Sequence, residues 1–164
     1  MHHSSTMVSI RAYQSDRDRR GVRDCIVELQ EYERSLEAGL PAGQAMADDY
    51  LAFLMRRCEE CEGGMILAIV DGEVFGFVCV LTKVSPAEPD EGPADYAYIS
   101  DLIVRAGHRR QGLGRRLLQE AELFARSKGA SDLRVGVLAR NHVAREMYAS
   151  LGFVEYQVQL TKAI

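Results

Sequence analysis

The segment 102–116 constrains the fold of this chain more than any other, because an apolar run there leads through a glycine-rich basic turn into a helical pattern. Leu102-Ile103-Val104 is typical of a buried strand, and the apolar residues after Gly112 recur every three or four positions, as on one face of a helix. Glycines let a ligand approach the backbone, and the first N–H groups of a helix favour an anion. The segment therefore predicts a strand, turn and helix that can hold a phosphate group.

The charge around this turn is opposite in sign to that of the whole chain. With 20 basic and 24 acidic residues, the chain carries a formal net charge of -4, which argues against non-specific binding to nucleic acid or to an anionic membrane. Five arginines nevertheless cluster here, with no acid between them in the sequence: Arg105, Arg109, Arg110, Arg115 and Arg116. They favour a bound polyanion, although an ordinary helix start with solubilising arginines on its surface stays possible at this point.

The remaining pattern predicts a single domain that alternates strands and helices. The 164 residues, 47% of them apolar, suffice for one core. We interpret residues 1–6 as an expression-tag remnant or disordered segment, and 7–164 as one domain. The predicted order βααβββαβαβ comprises strands at 8–13, 65–70, 74–82, 96–104, 133–138 and 153–161, and helices at 16–36, 46–61, 112–127 and 143–151. Asp71-Gly72 predicts a tight hairpin between the second and third strands.

Two familiar phosphate-binding motifs do not fit the spacing of the turn. The dinucleotide fingerprint requires a small residue where Leu117 stands, and the Walker motif requires Lys and Ser or Thr where Leu113 and Gly114 stand. The turn therefore belongs to a different class of anion site.

The run Arg109-Arg110-Gln111-Gly112-Leu113-Gly114 resembles the Arg/Gln-x-x-Gly-x-Gly/Ala signature of the GNAT superfamily of N-acetyltransferases. Asn141, Tyr148 seven residues later and the following Leu-Gly-Phe resemble the second motif of that family. The order of predicted elements also matches its α/β (α+β) fold. The resemblance implies one mixed, mostly antiparallel sheet with helices on both faces and a splayed central pair of parallel strands, here 96–104 and 133–138.

The same resemblance implies a site for acetyl-CoA as the acetyl donor. The backbone amides of residues 110–115 would hold the pyrophosphate, and the exposed peptide groups of Leu102, Ile103 and Val104 would pair with the pantetheine arm as an added strand does. Asn141 and Ala144 would face the same arm, although Asn141 also suits a helix cap. The cofactor-binding residues implied are Leu102, Ile103, Val104, Arg109, Arg110, Gln111, Gly112, Leu113, Gly114, Arg115, Asn141, Ala144 and Tyr148.

Acetyl transfer to an amine requires removal of a proton from the ammonium form and a proton for the departing thiolate. Tyr148 stands at the family position of the general acid, although an aromatic at this spacing also fills a core. Asp101 is our candidate base, because a carboxylate inside an apolar strand is costly without a function or a partner. We expect Ser100 to face the other side of the strand, and Tyr98 to line the acceptor pocket or pack in the core.

The acceptor side of the predicted domain is rich in acidic residues. The loop 85–97 contributes Glu88, Asp90, Glu91 and Asp95, and the first two helices contribute Glu28, Glu31, Glu33, Glu37, Asp48 and Asp49. Acidic walls would favour a small cationic amine such as a polyamine, an aminoglycoside or a lysine side chain, although scattered charges of this kind often only solvate a surface. A CoA-binding module without turnover and a lysine acetyltransferase acting on peptides remain alternatives.

The other expectations are mainly absences. The single Cys58-x-x-Cys61 pair, His108 and His142 lack the companions of a zinc site, so we expect no metal. We expect the four cysteines to be free thiols. We also expect the protein to be cytoplasmic, with no membrane span and no nucleic-acid partner. A homodimer is possible for this family, but no apolar stripe in the sequence marks its interface. The acceptor and the acyl-chain length are not specified by the sequence.

Overall fold

The computed structural model describes residues 7–92 and 94–164 of the chain. The predicted segment 1–6, interpreted as a tag remnant or disordered, lies outside the described residues. The elements are β1 (Val8–Ala12), α1 (Ser15–Leu36), α2 (Gly43–Glu60), β2 (Gly64–Val70), β3 (Glu73–Val84), β4 (Tyr96–Val104), a short 3-10 helix (Ala106–His108), α3 (Leu113–Ser127), β5 (Leu133–Val135) and α4 (His142–Ser150). The order of these elements agrees with the sequence prediction up to α4.

The sheet has the strand order β1-β2-β3-β4-β5, with antiparallel pairs from β1 to β4 and a parallel pair between β4 and β5. The β2–β3 hairpin forms at the predicted place. Asp71 and Gly72 both have positive φ, as a two-residue turn that follows the twist of the strands requires. The sheet is therefore mixed and mostly antiparallel.

Helices cover both faces of the sheet and enclose two apolar cores. On one face α1 and α2 bury residues such as Val22, Leu51 and Leu54 against Phe77. On the other face α3 and α4 pack on the sheet through Leu117 and their neighbours. The helical periodicity of α1 and α3 thus corresponds to real buried faces, as the sequence predicts.

The predicted last strand, 153–161, does not form, and this expectation was wrong. Its alternation is present, but Val154, Tyr156, Val158 and Leu160 are 70–89% exposed. An alternating pattern makes a strand only where a neighbouring edge offers hydrogen-bond partners, and the adjacent β5 has only three residues. The parallel pair β4–β5 consequently lies at the edge of the observed sheet instead of at its centre.

Candidate active site

Strand β4 contains a bulge at Ser100 that changes which side chains face helices α1 and α2. Ile99 and Asp101 oppose consecutive residues of β3, so Ser100 is the extra residue. Ile99 belongs to the core under α3, whereas Ile103 belongs to the core under α1 and α2. The expectation that Ser100 faces away from Asp101 was wrong, because strict alternation does not hold across a bulge, and the two side chains meet.

Asp101 is a buried carboxylate held by two hydroxyl donors. The Tyr50 hydroxyl donates to Oδ1 over 3.0 Å, and the Ser100 hydroxyl donates to Oδ2 over 2.8 Å. Asp101 is only 8% exposed. Burial raises the pKa of Asp101, and the hydrogen bonds from Ser100 and Tyr50 oppose that rise. The carboxylate is therefore more basic than an ordinary aspartate, as a proton acceptor for an ammonium group should be.

Tyr148 lies on α4, buried against the edge of the Phe153 ring with the ring centroids 5.5 Å apart. Burial raises its pKa to about 12, and the negative charge of Asp101 adds to the rise. Both effects favour the protonated phenol. Among the described residues, the Tyr148 hydroxyl has no hydrogen-bond partner, so its proton is free to be donated.

Glu33 is a second carboxylate in this region, which the sequence analysis placed only among the scattered acids. It is half-buried on α1, and its pKa is raised by burial and by the charge of Asp101. Its charge also contributes to the raised pKa of Tyr148. Only the packing of α1 over β4 could reveal this, since 68 positions separate Glu33 from Asp101.

The glycine-rich turn before α3 has the backbone shape that an anion site requires. Gly112, immediately before the helix, has φ +78°, and a Cβ there would meet nothing within 4 Å. Arg110 also has positive φ, at 61°. A Cβ on Gly114 would lie 3.4 Å from the sulfur of Met147. Helix α4 therefore packs closely against this position and favours a residue without a side chain. The turn thus leaves open space beside Gly112, at the end of α3 where the first N–H groups of a helix have no partner within the helix.

The cluster of five arginines is less positive in the fold than in the sequence, because Glu28 of α1 reaches into it. Its carboxylate accepts from Nε of Arg105 over 3.1 Å and from the backbone N–H of Ala106 over 2.6 Å. It also lies 3.6 Å from Arg109. Arg115 donates to the Ser150 hydroxyl. In the part of the chain that the structure describes, Arg110, Arg115 and Arg116 have no carboxylate partner, and they are the cations left beside the turn.

Strands β4 and β5 separate after a short contact. Their pairing joins residues 97–99 to 133–135 and ends there. Leu102, Ile103 and Val104 consequently have no ladder partner on this side among the described strands, although Nε of Arg109 donates to the carbonyl of Val104 over 2.7 Å. Beyond β5 the Tyr98 hydroxyl lies 2.7 Å from where a Cβ on Gly136 would be. Gly136 therefore makes room for the Tyr98 hydroxyl, and the sequence analysis missed it.

Asn141 caps α4, which is the alternative role that the sequence analysis gave it. Its Oδ1 accepts from the backbone N–H of Ala144 over 3.2 Å and from the Tyr32 hydroxyl over 3.3 Å. The cap ties α1 to the start of α4. Ala144 is partly buried beside Tyr148 on the same helix.

A cavity of about 370 Å³ lies next to Asp101 between α2 and the sheet. It is lined by Tyr50, Phe53, Arg57, Leu81, Val84, Tyr96, Tyr98 and Ser100. Tyr98 thus lines the cavity and also packs against the core. The expected acidic walls do not form here. The acids of the 85–97 loop are exposed, and Asp95 accepts from Ser85 within the loop itself.

The four cysteines are free thiols. Cys58 does not turn toward Cys61 but contacts Cys79, with the two sulfurs 3.6 Å apart. Within residues 7–92 and 94–164, no three His, Cys, Asp or Glu side chains come together as metal ligands would.

Comparison with known protein families identifies the family of this chain. The model of the acetyltransferase (GNAT) family matches residues 28–153, which is most of the chain and includes the end of α1, the bulge, the turn and α4. The chain belongs to the GNAT acetyltransferase family. The family assignment made from the 109–114 signature and the 141–153 motif is confirmed.

Curated relatives of this GNAT protein align over part of their length. An uncharacterized N-acetyltransferase of Bacillus subtilis, YhfO, is 32% identical over 63% of this chain and 67% of its own length. The thialysine N-epsilon-acetyltransferase of Bos taurus is 36% identical over 49% of this chain and 58% of its own. The chain spans 29% to 67% of the lengths of the first five curated relatives.

Solved structures share the GNAT fold at low identity. One is AAC(6')-Iy in complex with a CoA bisubstrate analog, with a TM-score of 0.69 and 16% identity over 96% of this chain and 99% of the other. In the described part of this chain, no helix has the length and hydropathy to cross a membrane.

Proposed function

We propose that this GNAT protein transfers the acetyl group of acetyl-CoA to a primary amine of a small cationic acceptor, by direct attack in a ternary complex. The observation that carries the proposal is the buried Asp101 carboxylate, which accepts hydrogen bonds from Tyr50 and Ser100. A carboxylate of raised pKa and a protonated phenol are the base and acid that this reaction requires.

The described residues fit acetyl-CoA as donor. When bound, acetyl-CoA supplies an acetyl group activated as a thioester. The backbone N–H groups of residues 110–115 and the free arginines beside them would hold the pyrophosphate, with the open space at Gly112 leaving room for it. The unpaired edge of residues 102–104 offers N–H and C=O groups to the pantetheine arm, which then acts as an added strand. Asn141 and Ala144, at the start of α4, would face the same arm.

Asp101 acts as the base, directly or through a water molecule. An alkyl ammonium has a pKa near 10.4 in water, so it arrives protonated and attracted to the carboxylate. Burial of Asp101 strengthens this attraction and brings the two pKa values closer together, which eases the proton transfer. The neutral amine can then attack the acetyl carbon.

Tyr148 acts as the acid toward the departing sulfur. Because its pKa is raised to about 12, the phenol stays protonated throughout the physiological range. Its hydroxyl has no hydrogen-bond partner among the described residues, so no protein group must be released before it donates. Its place on α4 is fixed by the Asn141 cap at the helix start.

The acceptor class rests on the carboxylates and on the names of related proteins. Asp101 and Glu33 place two acidic groups near the cleft. One curated relative is a thialysine N-epsilon-acetyltransferase and another, of Streptomyces lavendulae, a streptothricin acetyltransferase. A structural neighbour is an aminoglycoside N-acetyltransferase in complex with CoA. A small amine is the acceptor that best agrees with these observations. The cytoplasmic location, the homodimer and the absence of a metal and of nucleic-acid partners stay predictions.

The test is release of free CoA thiol from acetyl-CoA across polyamines, aminoglycosides, diamino acids and lysine peptides, with calorimetry for CoA binding. Release with a small amine supports the proposal. CoA binding without release for any amine would contradict it and favour a CoA-binding module, and release with peptides alone would favour a peptide acceptor.

A further inference from the structure

The cavity beside Asp101 has chemically different ends. Tyr50 and Ser100, which both donate to Asp101, line the part of it that adjoins this carboxylate. Of the eight residues that line it in the described structure, Arg57 is the one with a formal charge. The cavity thus offers a negative group just behind one part of its wall and a positive group at another.

Arg57 faces the cavity because of its position on α2. Tyr50, Phe53 and Arg57 are spaced by three and four residues, so they share one face of the helix. The Arg57 side chain is 32% exposed, so water and a small ligand can reach it. This stripe runs along α2 away from Tyr50, so the positive charge lies further along the cavity than the hydroxyl that contacts Asp101.

The guanidinium of Arg57 has spare donor capacity. Its one ion pair, from Nη1 to Glu60 over 3.3 Å, links exposed side chains three residues apart. Such surface pairs contribute little, so an incoming carboxylate can share or replace this partner. An arginine fork is suited to a carboxylate, which it can bind with two parallel hydrogen bonds.

From this arrangement, and resting on the proposed function, we infer that the acceptor is a small diamino acid whose carboxylate binds Arg57 while its distal amino group is acetylated beside Asp101. The stem of such a molecule is apolar, and Phe53, Leu81 and Val84 provide apolar surface in the same cavity. The size of the cavity, about 370 Å³, is that of a small-molecule site.

Three acceptors with the same distal amine separate this inference from simpler cation binding. Lysine carries the carboxylate, lysinamide replaces it with a neutral amide, and cadaverine lacks it. We expect kcat/KM for lysine to exceed that for either of the others by roughly 10- to 100-fold, the effect of a hydrogen-bonded charged group. Equal values for lysine and cadaverine would overturn the inference, even if both were acetylated and the proposed function stood.

Arg57→Gln and its neighbour Arg56→Gln form a matched pair of variants. Arg56 is 3.9 Å from the same Glu60 but does not line the cavity. We expect Arg57→Gln to lower kcat/KM for lysine roughly 10- to 100-fold and to leave cadaverine within about twofold, with Arg56→Gln close to wild type for both. Equal effects of the two substitutions would overturn the inference.

Calorimetry with lysine in the presence of CoA separates failure of the inference from failure of the proposed function. If no amine is acetylated but lysine binds, and Arg57→Gln abolishes that binding, the site assigned to the carboxylate stands and the proposed function fails. If lysine neither binds nor is acetylated, the inference fails whatever other amine is a substrate.

Discussion

The hydroxyl of Tyr50 donates a 3.0 Å hydrogen bond to the carboxylate of Asp101 from a different element of the fold, α2 against β4. This bond stabilises the ionised carboxylate and so lowers the pKa of Asp101 against the effect of burial. It therefore tunes the pH range in which Asp101 can accept a proton.

Tyr50→Phe should move the acidic limb of the kcat profile to higher pH. Without the hydrogen bond the pKa of Asp101 rises further, so more of the carboxyl is protonated and inactive at a given low pH. Turnover should fall most at low pH and recover as the pH rises. Tyr13→Phe is the control, because within the described structure the one hydrogen bond of its hydroxyl goes to the Ser15 carbonyl, away from Asp101. An acidic limb that does not move would contradict the role of this bond.

Asp101→Asn should lower kcat by about 10²-fold or more, since a general base contributes roughly that much. It should not lower stability at neutral pH. Folding raises the pKa of Asp101, because burial disfavours its charged form. Ionisation of Asp101 therefore lowers the free energy of unfolding once the pH exceeds the pKa that this residue has in the unfolded chain. The Tm of the variant relative to wild type should therefore increase as the pH rises from the unfolded pKa of Asp101 to its higher folded pKa. A large loss of Tm would instead indicate a structural carboxylate.

Tyr148→Phe should lower kcat by roughly 10²-fold while leaving the Kd for CoA nearly unchanged, because only the hydroxyl is removed. With the pKa of Tyr148 at about 12, wild-type turnover should show no loss from ionisation of this phenol at pH 7 to 9. Steady-state kinetics and CoA calorimetry measure the two effects. Full turnover of the variant at every pH would exclude the acid role.

Gly112→Asp should weaken CoA binding at least tenfold, because its carboxylate would stand where a pyrophosphate must lie. Gly72→Asp is a matched control. Both glycines have positive φ, 78° and 87°, and open space beside the Cβ position, but Gly72 lies in the β2–β3 hairpin. Both variants should lose similar stability through backbone strain. Weaker CoA binding by Gly112→Asp than by Gly72→Asp, at similar Tm, supports the anion site. Equal CoA affinities of the two variants refute it.

Asp18→Asn should lower the free energy of unfolding by about 2 kcal/mol at neutral pH. Asp18 is buried and accepts from Arg11 over 2.6 and 2.8 Å, and the guanidinium lowers its pKa. This contribution is present above the unfolded pKa of Asp18 and is lost as the pH falls through the folded value. Urea unfolding from neutral to acidic pH measures it, with the exposed Asp16→Asn as control. If the difference in free energy of unfolding between wild type and Asp18→Asn did not change with pH, the role of the ion pair would be contradicted.

The sequence predicted the elements whose signals are local. The hairpin at Asp71 and Gly72, the apolar faces of α1 and α3, and strand β4 all depend on neighbouring residues, and each formed where it was expected. The 109–114 signature and the 141–153 motif sufficed to identify the family. Residues close in the chain carry these patterns.

The parts that the sequence did not predict depend on contacts between distant elements. The Ser100 bulge arises from the register of β4 on β3, and Glu28 forms ion pairs with Arg105 and Arg109 only because α1 packs beside the turn. Alternation in 153–161 predicts a strand but supplies no partner for it. The acidic loop residues likewise lie away from the cavity, whereas Arg57, which α2 brings there, had no signal of its own in the sequence.

The measurement that tests the account most directly is the stoichiometry of the reaction, with free thiol and N-acetylated acceptor quantified together by mass spectrometry. We predict that thiol release requires the amine, equals the acetylated amine in amount, and leaves the intact mass of the protein unchanged. Thiol release without an amine, or accumulation of acetylated protein in place of acetylated acceptor, would contradict direct transfer from acetyl-CoA to the amine with Asp101 as base and Tyr148 as acid.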